Sequence, residues 1–195
     1  MDSEAILHAL RDSHAVLSGH FALTSGRHSD TYMQCARVFE DTNLTNDLAR
    51  AAAARIPDDL GVDLVASPAV GGLIFGYAVA SALGSRYIFA ERKDGAMTFR
   101  RGFTIAPGAR VLIVEDVVTT GGSVKEVAEI VRAAGGEVAG IVSLVDRGGE
   151  HGFDVPYFPL MSFGVESWDP DECALCARGI AIEAPGSRAL SGASS

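Results

Sequence analysis

Residues 111–123 read VLIVEDVVTTGGS. An aliphatic run meets two adjacent acids, Glu115 and Asp116. Two valines follow, then a loop of Thr119, Thr120, Gly121, Gly122 and Ser123. Hydroxyls and unobstructed backbone N–H groups at the start of a helix make an anion cradle, and a phosphate suits it. Carboxylates cannot favour that phosphate by charge, so they must face another part of the same ligand. Vicinal sugar hydroxyls, as donors, or a hydrated Mg²⁺ suit them. A sugar 5-phosphate satisfies both halves at once. The bland alternative is a helix-capping turn with solvated acids, which needs strand, acids and loop to coincide by accident. The loop has no Gly-Lys-Ser/Thr, and no Gly-x-Gly-x-x-Gly opens a helix there, so two common nucleotide-binding motifs are excluded.

Such a loop needs a strand before it and a helix after it, and the whole chain alternates in that way. Patterning predicts a helix over residues 3–17, capped by Asp2 or Ser3, then an extended piece over 21–35. A second helix is expected over 44–56, capped by Thr42 or Asn43, and a buried strand over 62–68. Gly71 and Gly72 open a helix to Leu83, followed by a strand over 86–91 and a charged hairpin around Asp94-Gly95. The strand over 110–115 leads into the loop, and Ser123 with Glu126 reads as a capping box for a helix to Ala134. Strands over 137–147 and in YFPLMSF complete the pattern. Strands alternating with helices imply an α/β fold, a mostly parallel twisted sheet flanked by helices. Ligands bind such sheets at the carboxyl ends of the strands, where this loop lies.

Composition bounds the function. The chain has 195 residues, 48% hydrophobic and 21% charged, enough for one globular domain over residues 1–190. The last five residues, SGASS, read as a disordered tail. A net charge of -9 gives no footprint for nucleic acid and argues against anionic membranes. Three cysteines fit a reducing compartment rather than a disulfide framework, and the acidic-started N-terminus lacks a basic segment of the secretory kind, so a cytoplasmic location is expected. The uncharged stretch AVGGLIFGYAVASALG is shorter than the ~20 residues of a membrane span. It reads as a buried helix packed closely through Gly72 and Gly76. CALC, at residues 173–176, invites a zinc or redox reading. One such pair without a second, or a histidine nearby in sequence, is weak for a metal and reads as reduced, structural or incidental, though two pairs across a dimer could make a site.

VLIVEDVVTTGGS resembles the signature of type I phosphoribosyltransferases, which bind 5-phosphoribosyl 1-diphosphate. Three further stretches resemble the orotate-using family of that class. FALTSGRHSDTYMQC is similar to its N-terminal substrate segment, a small hood in which Tyr32 and Met33 would pack and contact the flat pyrimidine. By itself Tyr32 is as well read as a core aromatic. In SLVDRGGE, Arg147 matches the family arginine that pairs with the orotate carboxylate, a bidentate task for a guanidinium; on spacing alone it could pair with Glu150 or Asp146. In ERKDGAMTFRRGF, four cations and one acid lie within residues 92–101 of an acidic chain. Arg92 and Lys93 match the family's Arg-Lys pair, on a flexible loop that closes over the neighbouring subunit's site.

The resemblance implies orotate and phosphoribosyl diphosphate as substrates, orotidine 5'-phosphate and pyrophosphate as products, and a homodimer with shared active sites. It places the phosphate on the residues from Thr119 to Ser123, and pyrophosphate on SPAVGG at Val70 and Gly71 with help from Arg101. Orotate falls to Thr119, Arg147, Tyr32 and Met33. Mg²⁺ enters with the substrate near Glu115 and Asp116, which act with Arg92 and Lys93 in catalysis. It also implies a cis peptide at Ala69–Val70. The chain departs from the family pattern where Thr24 and Gly71 replace lysines and where Ala96 and Thr98 replace a lysine and a histidine. Arg100 and Arg101 are the candidate replacements. A purine-using relative, or a non-catalytic sensor of phosphoribosyl diphosphate, stands as the alternative function.

Overall fold

The structure, a computed structural model, describes residues 1–23, 25–164 and 166–185. Thr24 and the expected tail at 191–195 therefore lie outside the described residues. Helix α1 spans Ser3–Asp12, with Asp2 accepting the Ala5 N–H as its cap. It stops five residues short of the expected Leu17. His14 takes a positive φ of 54°, and the chain turns directly into strand β1, Val16–Ala22. Strand β2, His28–Met33, pairs antiparallel with β1. Helix α2, Thr42–Ala53, is capped by Asp41 rather than Thr42 or Asn43, since the Asp41 carboxylate accepts two N–H groups of the first turn.

The remaining strands form one sheet. They are β3 (Leu64–Pro68), β4 (Arg86–Lys93), β5 (Ala96–Phe99), β6 (Arg110–Val118), β7 (Glu137–Asp146) and β8 (Tyr157–Ser162). Their order is β5-β4-β3-β6-β7-β8, with only the β4–β5 hairpin antiparallel. Asp94 and Gly95 both have positive φ, 51° and 86°, which gives the hairpin a two-residue turn of the kind Asp-Gly favours. Helix α3 spans Gly72–Leu83 and α4 spans Gly122–Ala133.

Strand periodicity divides the core. Along β6, Leu112 and Val114 pack with α2 and α3 on one face, whereas Val111 and Ile113 pack with α4 on the other. Both faces are covered, so β6 reads as a continuous apolar run rather than an alternating one. Two helical layers around a parallel sheet agree with the expected α/β architecture. Among the described residues no helix is long and apolar enough to cross a membrane.

Helix α3 buries one side through Gly72, Phe75, Gly76 and Val79, but Ile74 and Tyr77 stay exposed, so it is not buried all round. Gly76 is needed for packing: a Cβ there would meet Ser67 Cβ at 2.8 Å and Tyr87 Cε2 at 3.0 Å. Those neighbours are tied by a 2.5 Å hydrogen bond between Ser67 Oγ and Tyr87 Oη, and cannot readily yield. Overpacking costs about 1–3 kcal/mol, and alanine returns only about 1 kcal/mol in helix propensity. Gly76→Ala is therefore expected to lower stability by about 1 kcal/mol. Urea unfolding checks this, and an unchanged or raised midpoint would refute the close-packing account.

Candidate active site

The carboxyl ends of β6 and β7 open into a cleft of about 680 Å³. Strand β6 does not end at its acids. It stays paired with β7 through Val118, with Glu115 opposite Ser143 and Val118 opposite Asp146. Ladder pairing therefore holds the backbone of both acids rigidly, more so than a loop would. Glu115 is only 8% exposed. The Asp116 N–H donates to Glu115 Oε1 at 3.2 Å, and the Val117 N–H donates to Asp116 Oδ1 at 2.9 Å.

Burial pushes Glu115 well above the ordinary carboxylate range, and the neighbouring charge of Asp116 adds to it; burial also raises Asp116. No cation is among the causes acting on either group. The pair therefore fits a ligand that brings hydroxyl donors or positive charge, as Mg²⁺ on a substrate would.

Both acids press against the turn that opens α3. A Cβ at Gly71 would meet Asp116 Oδ1 at 2.7 Å, and one at Gly72 would meet Glu115 Oε1 at 2.9 Å. The lysine expected at position 71 is thus replaced by a residue whose missing side chain makes room for Asp116. The Ala69–Val70 peptide in this turn is cis, as the resemblance implied. Val70 is 81% exposed beside it.

The expected capping box at α4 does not form. The N-cap is Gly121, with φ 75° and no capping side chain, and Glu126 instead accepts from Arg92 at 2.8 Å. The result leaves the first N–H groups of α4 to the loop's own cradle, which lines the cleft from Thr119 to Ser123. Gly121 is required twice over, by its φ and by Phe153, whose ring would lie 2.7 Å from an added Cβ.

Arg147 faces the same cleft. Its N–H donates to the Val118 carbonyl at 2.9 Å, which fixes the backbone at the strand end. Asp146 is occupied by the Gly148 N–H and by His151 Nε2 at 2.8 Å, so Arg147 does not make the local ion pair that spacing allowed. Its Nε is buried and has no hydrogen-bond partner among the described residues. Burial lowers this guanidinium from its ordinary value, with opposing effects from Tyr32 and Cys35. A buried donor without an acceptor marks a place for an anion.

The structure brings Glu115, the loop from Thr119 to Ser123, Arg92 and Arg147 around one cleft. Tyr32 stands against Phe21 at 5.6 Å and close enough to Arg147 for its charge to be felt, but is not in the cleft lining. The Met33 side chain is buried in the core, which leaves only its backbone for a ligand. Lys93, at the hairpin turn, and Arg101 lie outside the lining. Arg101 donates to Glu91 at 2.8 Å and covers the Phe89 ring at 5.5 Å. Leu23, Ser25 and Ser167 join the cleft wall from the chain's two ends. Leu23 and Ser25 fall in the stretch that resembles the family's substrate segment, whereas sequence patterning carries no sign of Ser167, whose place depends on contacts far apart along the chain.

A parallel α/β sheet with paired acids ahead of an uncapped Thr/Gly/Ser loop at its carboxyl edge defines a type I phosphoribosyltransferase. The family model described as "Phosphoribosyl transferase domain" matches residues 37–158. A protein of Heliobacterium modesticaldum named orotate phosphoribosyltransferase is 49% identical over 190 residues, covering 96% of this chain and 100% of its own. One of the same name from Pelotomaculum thermopropionicum is 50% identical, with 97% and 100% covered. The solved orotate phosphoribosyltransferase of Aeropyrum pernix superposes with a TM-score of 0.69 at 27% identity, covering 80% of this chain and 93% of that one. The chain belongs to the orotate phosphoribosyltransferase family.

Proposed function

We propose that this chain transfers the 5-phosphoribosyl group of 5-phosphoribosyl 1-diphosphate to orotate, giving orotidine 5'-phosphate and pyrophosphate. The observation that carries the choice of base is Arg147, whose guanidinium lines the cleft with a buried Nε that has no partner among the described residues. Orotate carries a carboxylate that a guanidinium can hold through two hydrogen bonds; adenine and hypoxanthine do not. Tyr32 and the Met33 backbone complete the pyrimidine side.

The donor's 5-phosphate sits on the N–H groups and hydroxyls from Thr119 to Ser123, and its diphosphate on the turn at Val70 and Gly71. Glu115 and Asp116 hold the ribose hydroxyls and stabilise the positive charge that develops on the anomeric carbon. A nitrogen of the anionic orotate ring attacks that carbon, so no strong protein base is required. Glu115 and Asp116 lie where they would help to hold a Mg²⁺ that enters with the substrate, and such an ion would supply neutralisation of the leaving group. Arg92, Lys93 and Arg101 draw the remaining charge from pyrophosphate when the hairpin closes and excludes water.

Two features support a homodimer. Lys93 and Arg101 stand outside their own chain's cleft, and three large apolar side chains are exposed close together in sequence, Val70 in the turn before α3 and Ile74 and Tyr77 on the helix itself. That Cys35, Cys173 and Cys176 form no disulfide supports a cytoplasmic location.

The test is orotate absorbance in the presence of protein, Mg²⁺ and phosphoribosyl diphosphate, with adenine and hypoxanthine run alongside. Orotate alone should be consumed. Consumption of a purine, or of no base while the donor still binds, would overturn the assignment.

A further inference from the structure

Sequence separates four side chains that the fold brings together. His20 lies on β1 and His28 on β2, whereas Cys173 and Cys176 flank and occupy α5, Ala174–Ala177. Ala22 pairs with His28 across the hairpin, the ladder is irregular between Ser18 and Phe21, and the His20 and His28 rings meet edge to face at 5.1 Å. The CxxC spacing puts its two sulfurs on one side of a single helical turn. One ligand atom from each of the four residues lies within 4.8 Å of the other three.

The distances are those of a coordination tetrahedron. Zinc bonds of about 2.0–2.1 Å to nitrogen and about 2.3 Å to sulfur place tetrahedral ligands about 3.3 Å apart for N–N and about 3.6 Å for N–S. His20 Nε2 and His28 Nδ1 are 3.3 Å apart. Cys173 Sγ and Cys176 Sγ lie 3.5 Å and 3.7 Å from His20 Nε2, and Cys176 Sγ lies 3.2 Å from His28 Nδ1.

The tautomer of His20 is set as well. His20 Nδ1 lies 2.8 Å from the Ile180 carbonyl, which can only accept, so Nδ1 carries the hydrogen and Nε2 offers its lone pair to the cluster. A ligating histidine is commonly oriented by such a carbonyl. A redox pair would explain the two cysteines but not two buried histidines aimed at them. His20 is 2% exposed, His28 8% and Cys173 3%.

We propose that His20, His28, Cys173 and Cys176 bind one Zn²⁺ in a closed, structural site. Two thiolates and two imidazoles in tetrahedral array select zinc among the common divalent ions, and four protein ligands leave no open position for chemistry. The ion fastens the segment carrying Ser167 to the hairpin carrying Tyr32. Strand contacts reinforce it, where His28 pairs with Trp168 and Phe21 with Glu183. A hairpin of two strands is marginal alone, so a metal tie has something to add.

The experiment uses full-length protein isolated under reducing conditions without chelator. Elemental analysis should give one zinc per chain. Chelation should lower the melting temperature by several degrees, and zinc should restore it. Cobalt loaded in place of zinc should show the intense visible bands of a tetrahedral ion and thiolate-to-cobalt charge transfer. Cys176→Ser should lose the charge-transfer intensity of one thiolate and hold zinc at least tenfold less tightly. If that variant fails to fold, the wild-type cobalt spectrum and chelator response still decide. Protein without stoichiometric zinc, an octahedral cobalt spectrum, or a Cys173–Cys176 disulfide in freshly isolated chains would each overturn the site.

Discussion

Asp116→Asn is expected to lower turnover by about 10²–10³-fold, the scale of removing one preorganised electrostatic group from a transition state. The fold should survive, because asparagine keeps an oxygen to accept the Val117 N–H now bound at 2.9 Å. Stability should even rise at neutral pH. Burial raises Asp116 and Glu115 above the ordinary carboxylate range, so each binds its proton more tightly folded than unfolded. Stability is then lost as pH climbs from the unfolded value through the folded one, and stays lost above it. A neutral amide at position 116 removes part of that loss. Turnover by the variant and melting temperatures from pH 4 upward, where the window opens, test both halves. Full activity would end the assignment of Asp116; a lower melting point at neutral pH would end the argument from burial.

Arg147→Ala should reduce kcat/KM for orotate by about 2–4 kcal/mol, roughly thirty- to thousandfold, as expected for losing a charge-assisted pair in a desolvated site. Affinity for phosphoribosyl diphosphate should change much less, since the cradle from Thr119 to Ser123 is untouched. Arg147→Lys should recover little, because an ammonium cannot match the guanidinium fork. Folding should tolerate either change: the Nε now buried has no partner to lose. Steady-state kinetics with each substrate varied separately distinguishes the cases. Equal losses for both substrates would show that Arg147 supports the cleft as a whole rather than reading the base.

The parts of this molecule legible in its sequence are those set by neighbours along the chain. The apolar runs became β3, β6 and β7, the Asp-Gly pair became a hairpin turn, and the Thr/Gly/Ser loop became the cleft lining that opens α4. Errors arose where a local signal met a tertiary competitor. Ser123 and Glu126 have capping-box spacing, but Arg92, 34 residues away, takes the glutamate. The helical pattern over 3–17 stops early because residues from Val16 onward pair with β2. Glu115 and Asp116 looked like the end of a strand, yet pairing with β7 carries it past them. His20 and Cys173 are 153 positions apart, and only pairing between the chain's two ends joins them. No window of local sequence contains that information.

Those pairings also order events during synthesis. The cradle and its sheet partners β3, β4 and β7 are complete once residue 146 has been made. Arg27 and Ser29 must wait for Ser167 and Glu166, and His28 for Trp168. The lining supplied by β6, β7 and the loop after β6 is thus synthesised well before the wall that Ser167 supplies. Contacts of such long sequence separation form late, after loop closure has been overcome. Arg147 is made together with the loop from Thr119 to Ser123, so the last part of the cleft to be completed is the wall at Ser167, where the chain's end meets the N-terminal hairpin.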